Sequence, residues 1–162
     1  MPERKLMTGN EAVARGAWEA GVCISTSYPG NPASEILEHL ARFPEVSAEW
    51  SVNDKVALEV AIGGCFAGAR ALVSMKQVGV NVAVDPLFSV AYIGVNVGLV
   101  IITADEPGVH SSQNKQDNRY CAKFTQIPML EPSDAQEAKC ALDSLQDGSS
   151  QRVLAYSAKS IR

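Results

Sequence analysis

Two carboxylates in one apolar run, Asp54 and Glu59, are the side chains of this sequence best placed for acid–base chemistry. From Val56 to Ala69 every other position is apolar or small, which predicts a helix buried on nearly all sides. Its entry is Asn53-Asp54, a capping residue followed by an acid where the helix dipole favours negative charge. A carboxylate at the mouth of a buried helix, and a second inside it, are costly to remove from water. Each therefore needs a partner or a task. Capping by Asp54 and a hydrogen-bonded or rim position for Glu59 would supply partners, and a perturbed catalytic acid would be a task.

Three further polar clusters follow predicted strands directly: Tyr28 to Asn31, Lys76-Gln77 and Asp105 to Asp117. The last contains His110, Ser111, Ser112, Gln113 and Asn114, which can line a pocket or cap a solvated loop. Ser112 with His110 makes no hydrolase, because no G-x-S-x-G elbow accompanies them. No glycine-rich phosphate loop follows a strand, which argues against a self-contained nucleotide site. Lys76 faces an acidic substrate, a phosphate or solvent. Gly30, Gly79 and Gly108 read as turn residues. Cys23, Cys65, Cys121 and Cys140 are widely spaced with no C-x-x-C. That argues against a zinc or iron–sulfur site and for reduced thiols, mostly small core residues, in a cytoplasm.

The elements that must position these groups alternate. Thr8-x-x-Glu11 is a capping box opening a helix to about Ala20, closed by Gly21. Strands are predicted at Val22–Ser27, Val46–Glu49, Arg70–Met75, Val97–Ala104, Pro128–Leu130 and Arg152–Tyr156. Val97–Ala104 is apolar without alternation, the pattern of a strand covered on both faces. Asn31 caps a second helix with Pro32 at its first position. Helical stretches follow at about 81–92 and 118–124, and Ser133-x-x-Gln136 opens another to about Leu145. The whole reads as one α/β domain over residues 1–162: a single doubly wound, mainly parallel sheet of about six strands with helices on both faces. In such sheets ligands collect outside the C-terminal strand ends, so the three clusters converge on one rim.

Bulk properties narrow the class. With 14 basic and 18 acidic side chains, net charge −4, the chain has no electrostatic footprint for nucleic acid. No apolar run reaches membrane-spanning length, and the N-terminus lacks the apolar core of a signal peptide. Small residues at Gly63, Gly64, Ala67 and Gly68 would let another helix approach closely, which predicts a homodimer or heteromer.

Four segments are more specific than periodicity: YPGNPASEI, EWSVNDKVALEVAIGG, SMKQVGVNVAVDPL and DEPGVHSSQNKQDNR. In this order and spacing they resemble indolepyruvate:ferredoxin oxidoreductase, in the N-terminal pyrimidine-binding domain of its thiamine-diphosphate-binding α subunit. The match covers about Thr8 to Ala138. More broadly the pattern is similar to the 2-oxoacid:ferredoxin oxidoreductases. The resemblance implies oxidative decarboxylation of an aryl-pyruvate to an acyl-CoA, with electrons leaving through iron–sulfur clusters to ferredoxin.

It also implies roles. In thiamine enzymes a glutamate hydrogen-bonds the pyrimidine ring nitrogen and favours the tautomer that removes the thiazolium C2 proton. That residue stands nine positions before the small pair in its helix, which here, counted from Gly63, is Asp54, one methylene shorter. Tyr28, Pro29, Gly30, Asn31 and Gln77 correspond to cofactor-binding positions, where Asn31 replaces the usual Thr and Gln77 the usual His. His110, Ser111, Ser112, Gln113 and Asn114 correspond to the substrate pocket. The sequence has no G-D-G segment with a downstream Asn for magnesium and the diphosphate, and no cysteine cluster for iron–sulfur. It therefore carries the pyrimidine half of a site whose other half, with Mg2+, belongs to a partner domain; ferredoxin would be reached indirectly. Either it is one subunit of a split enzyme, an excised fragment, or a non-catalytic paralogue serving assembly or binding another small ligand.

Overall fold

The computed structural model describes residues 6–105 and 112–142, together with the backbone of the strand at 153–159. The chain runs α1 (Gly9–Glu19), β1 (Ile24–Ser27), α2 (Ser34–Leu40), β2 (Ser47–Trp50), α3 (Asp54–Phe66), β3 (Ala71–Lys76), α4 (Gln77–Val82), α5 (Val84–Ile93), β4 (Leu99–Asp105), α6 (Arg119–Thr125), β5 (Met129–Leu130), α7 (Ala135–Ala141) and β6 (Val153–Lys159). The strands form one sheet in the order β2-β1-β3-β4-β6-β5, and all five pairings are parallel.

Both faces of the sheet are covered, which explains the unalternating strands. Leu72, Val100 and Ile102 face a core layer with Val13 and Ala17 of α1, Ile36 and Leu40 of α2, and Ala138 and Leu142 at α7. The intervening residues Ala71, Val73, Met75, Leu99 and Ile101 face the opposite layer, with Ala57, Leu58, Ala61 and Cys65 of α3 and Leu87 and Val90 of α5. Successive strand residues point to opposite faces, so each strand feeds both layers. Gly16 lets α1 meet α7: a Cβ there would stand 2.6 Å from the Lys139 carbonyl oxygen.

Several predicted boundaries move for identifiable reasons. The Thr8–Glu11 capping box forms as expected, with both reciprocal bonds present, and Gly21 closes the helix at φ 77°. The single helix expected at about 81–92 is two helices broken at Ala83. Pro86 has no N–H to give the carbonyl of Val82, the last residue of α4, and it is tolerated in the first turn of α5. Asn31 is not a helix cap: α2 begins at Ser34 with no side-chain cap, and the Asn31–Pro32 peptide is cis. A turn replaces the cap, in which the Gly30 carbonyl accepts from Ala33 and Ser34 N–H and the Ser34 hydroxyl accepts from Gly30 N–H at 2.9 Å. α7 is capped by Asp134, not Ser133. The Glu137 carboxylate instead takes the Ser133 N–H and hydroxyl, both at 2.7 Å.

α3 is not buried all round. Its inner face is Asp54, Ala57, Leu58, Ala61 and Cys65, while Val60, Gly63, Phe66 and Ala67 are exposed. Glu59 therefore lies at the surface, in a loose pair with Lys55 at 3.9 Å. The cysteines divide as well. Cys65 is buried, Cys23 and Cys121 are partly covered and Cys140 is exposed, all as free thiols, so most are not core residues as expected.

Candidate functional site

After β1 the chain turns to one side to lay down β2, then returns to place β3 on the other side of β1. The loops leaving β1 and β3 thus diverge and open a crevice at the strands' C-terminal ends, the usual ligand position in this architecture. Two hydroxyls tie the strands to their surroundings below it. Thr26 donates to the Ala57 carbonyl of α3 at 2.7 Å, and Ser27 to the Ser74 carbonyl of β3 at 2.7 Å.

The loop after β1 packs against the end of β3. A Cβ on Gly30 would stand 3.1 Å from Cβ of Lys76, so the bare glycine lets the loop lie on the lysine stem. Lys76 is buried, rather than solvated. Tyr28, Pro29 and Asn31 are exposed around this contact.

Asp54 occupies the floor. Capping of α3 falls to Asn53, whose Oδ1 accepts from Val56 N–H at 2.9 Å, so the Asp54 carboxyl is not needed as a cap. It is 7% exposed. Burial pushes its pKa from 3.8 up to about 6, opposed by a hydrogen bond that the carboxyl accepts from its own backbone N–H. Its carboxyl group is seated on Gly79: a Cβ built there would lie 2.4 Å from Oδ1, 2.5 Å from Cγ and 2.9 Å from Oδ2. Gly79 is accordingly no turn residue, as its type had suggested. It sits inside α4, where its lack of a side chain makes room for a carboxylate from another helix.

Gln77, at the start of α4, is 1% exposed. Its Nε2 donates to Ser112 Oγ at 2.7 Å, joining the second cluster to the third. Its Oε1 is buried and accepts no hydrogen bond among the described residues. Its backbone carbonyl anchors a network that the sequence did not disclose. Gln116 Nε2 donates to that carbonyl and to Asn118 Oδ1 at 2.7 Å. Asn118 Nδ2 reaches Thr103 Oγ1 at 2.5 Å, Asp105 Oδ1 at 3.2 Å and the same Gln77 carbonyl at 3.3 Å. Thr103 in turn donates to Asp105 at 2.9 Å. Asn118 and Thr103 are buried. Asn118 was read as the opening of a short helix, yet its side chain caps nothing there. The available clue was Thr103, a hydroxyl in an otherwise apolar strand, which must find a partner when buried.

Of the expected substrate residues, Ser112 is at the site, while Gln113 and Asn114 are exposed and join no hydrogen bond of this network. His110 and Ser111 lie outside the described residues.

Sequence comparison decides the kinship. No protein-family model matches the chain, but individual relatives do. It is 51% identical over 144 residues to indolepyruvate oxidoreductase subunit IorA of Archaeoglobus fulgidus, 85% of this chain and 23% of the relative. The same subunit of Pyrococcus abyssi is 50% identical over 140 residues, 85% and 22% respectively. The chain belongs to the 2-oxoacid:ferredoxin oxidoreductase family. A more distant member, ketoisovalerate oxidoreductase subunit VorB of Methanothermobacter thermautotrophicus, is 33% identical over 87 residues, 48% of this chain and 25% of the relative. The chain thus spans a little under a quarter of the length of the IorA relatives it matches. The fold agrees with the family: a 2-oxoglutarate:ferredoxin oxidoreductase from Magnetococcus marinus superposes with TM-score 0.81 at 16% identity, over 95% of this chain and 29% of that one.

Proposed function

We propose that this chain is the pyrimidine-binding half of a thiamine-diphosphate-dependent 2-oxoacid:ferredoxin oxidoreductase acting on aryl-pyruvates such as indolepyruvate. The single observation that carries this reading is the buried Asp54 carboxyl, with a pKa of about 6 and no capping duty, at the sheet's switch point. Three features fit the cofactor's aminopyrimidine. The carboxyl is shielded from water, Gln77 Oε1 accepts no hydrogen bond among the described residues, and the bare Gly30 lets the loop after β1 lie on the Lys76 stem.

When bound, thiamine diphosphate supplies the electron sink for decarboxylating a 2-oxoacid. The protein's part is proton placement. A carboxyl with a pKa near the working pH exchanges its proton with a ring nitrogen at little cost in either direction. The dry environment strengthens that hydrogen bond. Gln77 Oε1 would be available to accept from an amino group of the cofactor, and Ser112 holds the Gln77 amide in orientation.

The diphosphate and Mg2+ require ligands from a partner domain, and ferredoxin is reached through that partner. The relatives are named as subunits, which supports an assembly, either a homodimer or a complex with a second subunit, in the cytoplasm. The exposed face of α3 suits such contact. Gly63 has no atom within 4 Å of an added Cβ, whereas a Cβ on Gly64 would stand 2.5 Å from Ile24 Cδ1. Gly63 thus opens outward, and Gly64 serves packing against β1. Among the described residues no helix is long and apolar enough to cross a membrane.

The test is reconstitution. Co-expressed with the protein supplying the rest of the relatives' length, the chain should give indolepyruvate-dependent, CoA-dependent reduction of ferredoxin that requires added thiamine diphosphate. Asp54→Asn should abolish it and Asp54→Glu should raise it. Equal turnover by all three would defeat this reading. It would favour a non-catalytic domain of the same fold, which the short, nearly enclosed Asp54 side chain also suits.

A further inference from the structure

We propose that Gly79 is the positioning residue for the Asp54 carboxyl: its bare Cα in α4 is the wall on which that group is seated. All three carboxyl heavy atoms lie inside the space a Cβ would need, at 2.4, 2.5 and 2.9 Å. Real side chains do not approach so closely, so a methyl group at residue 79 must displace something.

What gives way follows from stiffness. Gly79 lies within a helix, has an ordinary helical φ, and is buried, so alanine suits its backbone. The opposing atoms are the free end of a side chain with two rotatable bonds. α4 is tied at its first residue, Gln77, whose carbonyl accepts from Gln116 and Asn118. The carboxyl therefore yields before the helix does. It swings out of the pocket toward water, where its pKa returns toward the ordinary carboxylate range. Gly79 thereby sets where the acid stands and how it titrates, without touching cofactor or substrate. The catalytic consequence rests on the role proposed for Asp54; the placement does not.

The test is Gly79→Ala in the full chain, with the Asp54 carboxyl followed by carbon-13 NMR across the acid range. The expected result is a folded protein in which the Asp54 midpoint falls from about 6 by at least one unit. In the reconstituted complex turnover should fall more than tenfold with KM for the 2-oxoacid little changed, and the acid limb of the pH–rate profile should shift downward. An unchanged Asp54 midpoint overturns the proposal, because the helix rather than the carboxyl has then moved. A lowered midpoint with full turnover upholds the placement and overturns the function proposed for Asp54 instead. Should Gly79→Ala fail to fold, the pair Asp54→Ala and Asp54→Ala/Gly79→Ala decides. With the carboxyl gone, Gly79→Ala should raise Tm as an ordinary helical glycine replacement does. A fall in Tm in that background would also overturn the proposal.

Discussion

Asp54→Asn should stabilise the isolated chain at neutral pH while removing the activity of the assembled one. The carboxyl's pKa is about 6 in the folded protein against 3.8 for the free side chain, a rise of about two units. Each unit corresponds to ~1.4 kcal/mol, so holding the ionised group in this pocket costs roughly 3 kcal/mol at pH 7. The sign follows from linkage. Between the two pKa values the folded state binds the proton that the unfolded state has released, so stability declines as pH rises through this window. The Asp54 contribution is harmless below pH ~4, falls between pH ~4 and ~6, and is fully unfavourable above. Asparagine has nearly the same shape, carries no charge and removes that dependence. Urea unfolding of both proteins from pH 4 to pH 7.5 reads the difference. The two curves should nearly coincide at the acid end, with the variant ahead by about 2–3 kcal/mol at the neutral end. A pH-independent gap, or a less stable variant at pH 7, would refute the claim that this carboxyl is ionised against the preference of its surroundings.

Asn118→Ala should destabilise the chain by about 1–3 kcal/mol in denaturant titrations, because it removes the buried hydrogen bonds to Thr103, Asp105 and the Gln77 carbonyl, while Thr103 keeps Asp105 and the Gln77 carbonyl keeps Gln116. Gly63→Ala, with open space around the added methyl group, should stabilise the isolated chain by ~1 kcal/mol yet weaken assembly, as read by sedimentation with the partner. Burial pushes the Cys65 thiol up to about 11, so mass spectrometry after brief alkylation near pH 8 should find Cys140 modified and Cys65 intact. Calorimetry on the isolated chain should show no tight binding of thiamine diphosphate, since the ligands for its diphosphate and metal would come from another domain.

The framework was legible in the sequence wherever a pattern had one physical meaning. An apolar strand without alternation, such as Val97–Ala104, admits one environment, and the structure has it covered on both faces. The capping box at Thr8 and the glycine at 21 likewise fixed α1 locally. Errors arose where two local rules competed. Asn31-Pro32 has the composition of a helix start, but the Ser34 hydroxyl and the Gly30 carbonyl close a turn first. The run from Asn81 to Tyr92 reads as continuous because its apolar residues recur on both sides of Pro86. Within the site, Asp54 and Gln77 stood out by type and position, whereas the reason Asp54 is perturbed did not. That reason is a glycine in another helix, read locally as a turn residue. Asn118 was missed for the same cause: its partners Thr103 and Gln77 are distant in sequence, and no local spacing links them.

The strand order carries a consequence for how the chain can assemble during synthesis. Among the described residues β5 is hydrogen-bonded to β6 alone, and β6, which follows it in the chain, is inserted between β5 and β4. α1, which precedes every other described element, rests on α7 through the close approach at Gly16 and the ion pair of Lys139 with Glu19. A ribosome-bound chain that has emerged as far as α6 therefore has an uncovered α1 face and β4 as an open edge. Closure waits for contacts of large sequence separation, the slow kind to form. The chain thus carries its aggregation hazard until β6 is in place, and a chain cut before Val153 should be insoluble rather than a smaller domain.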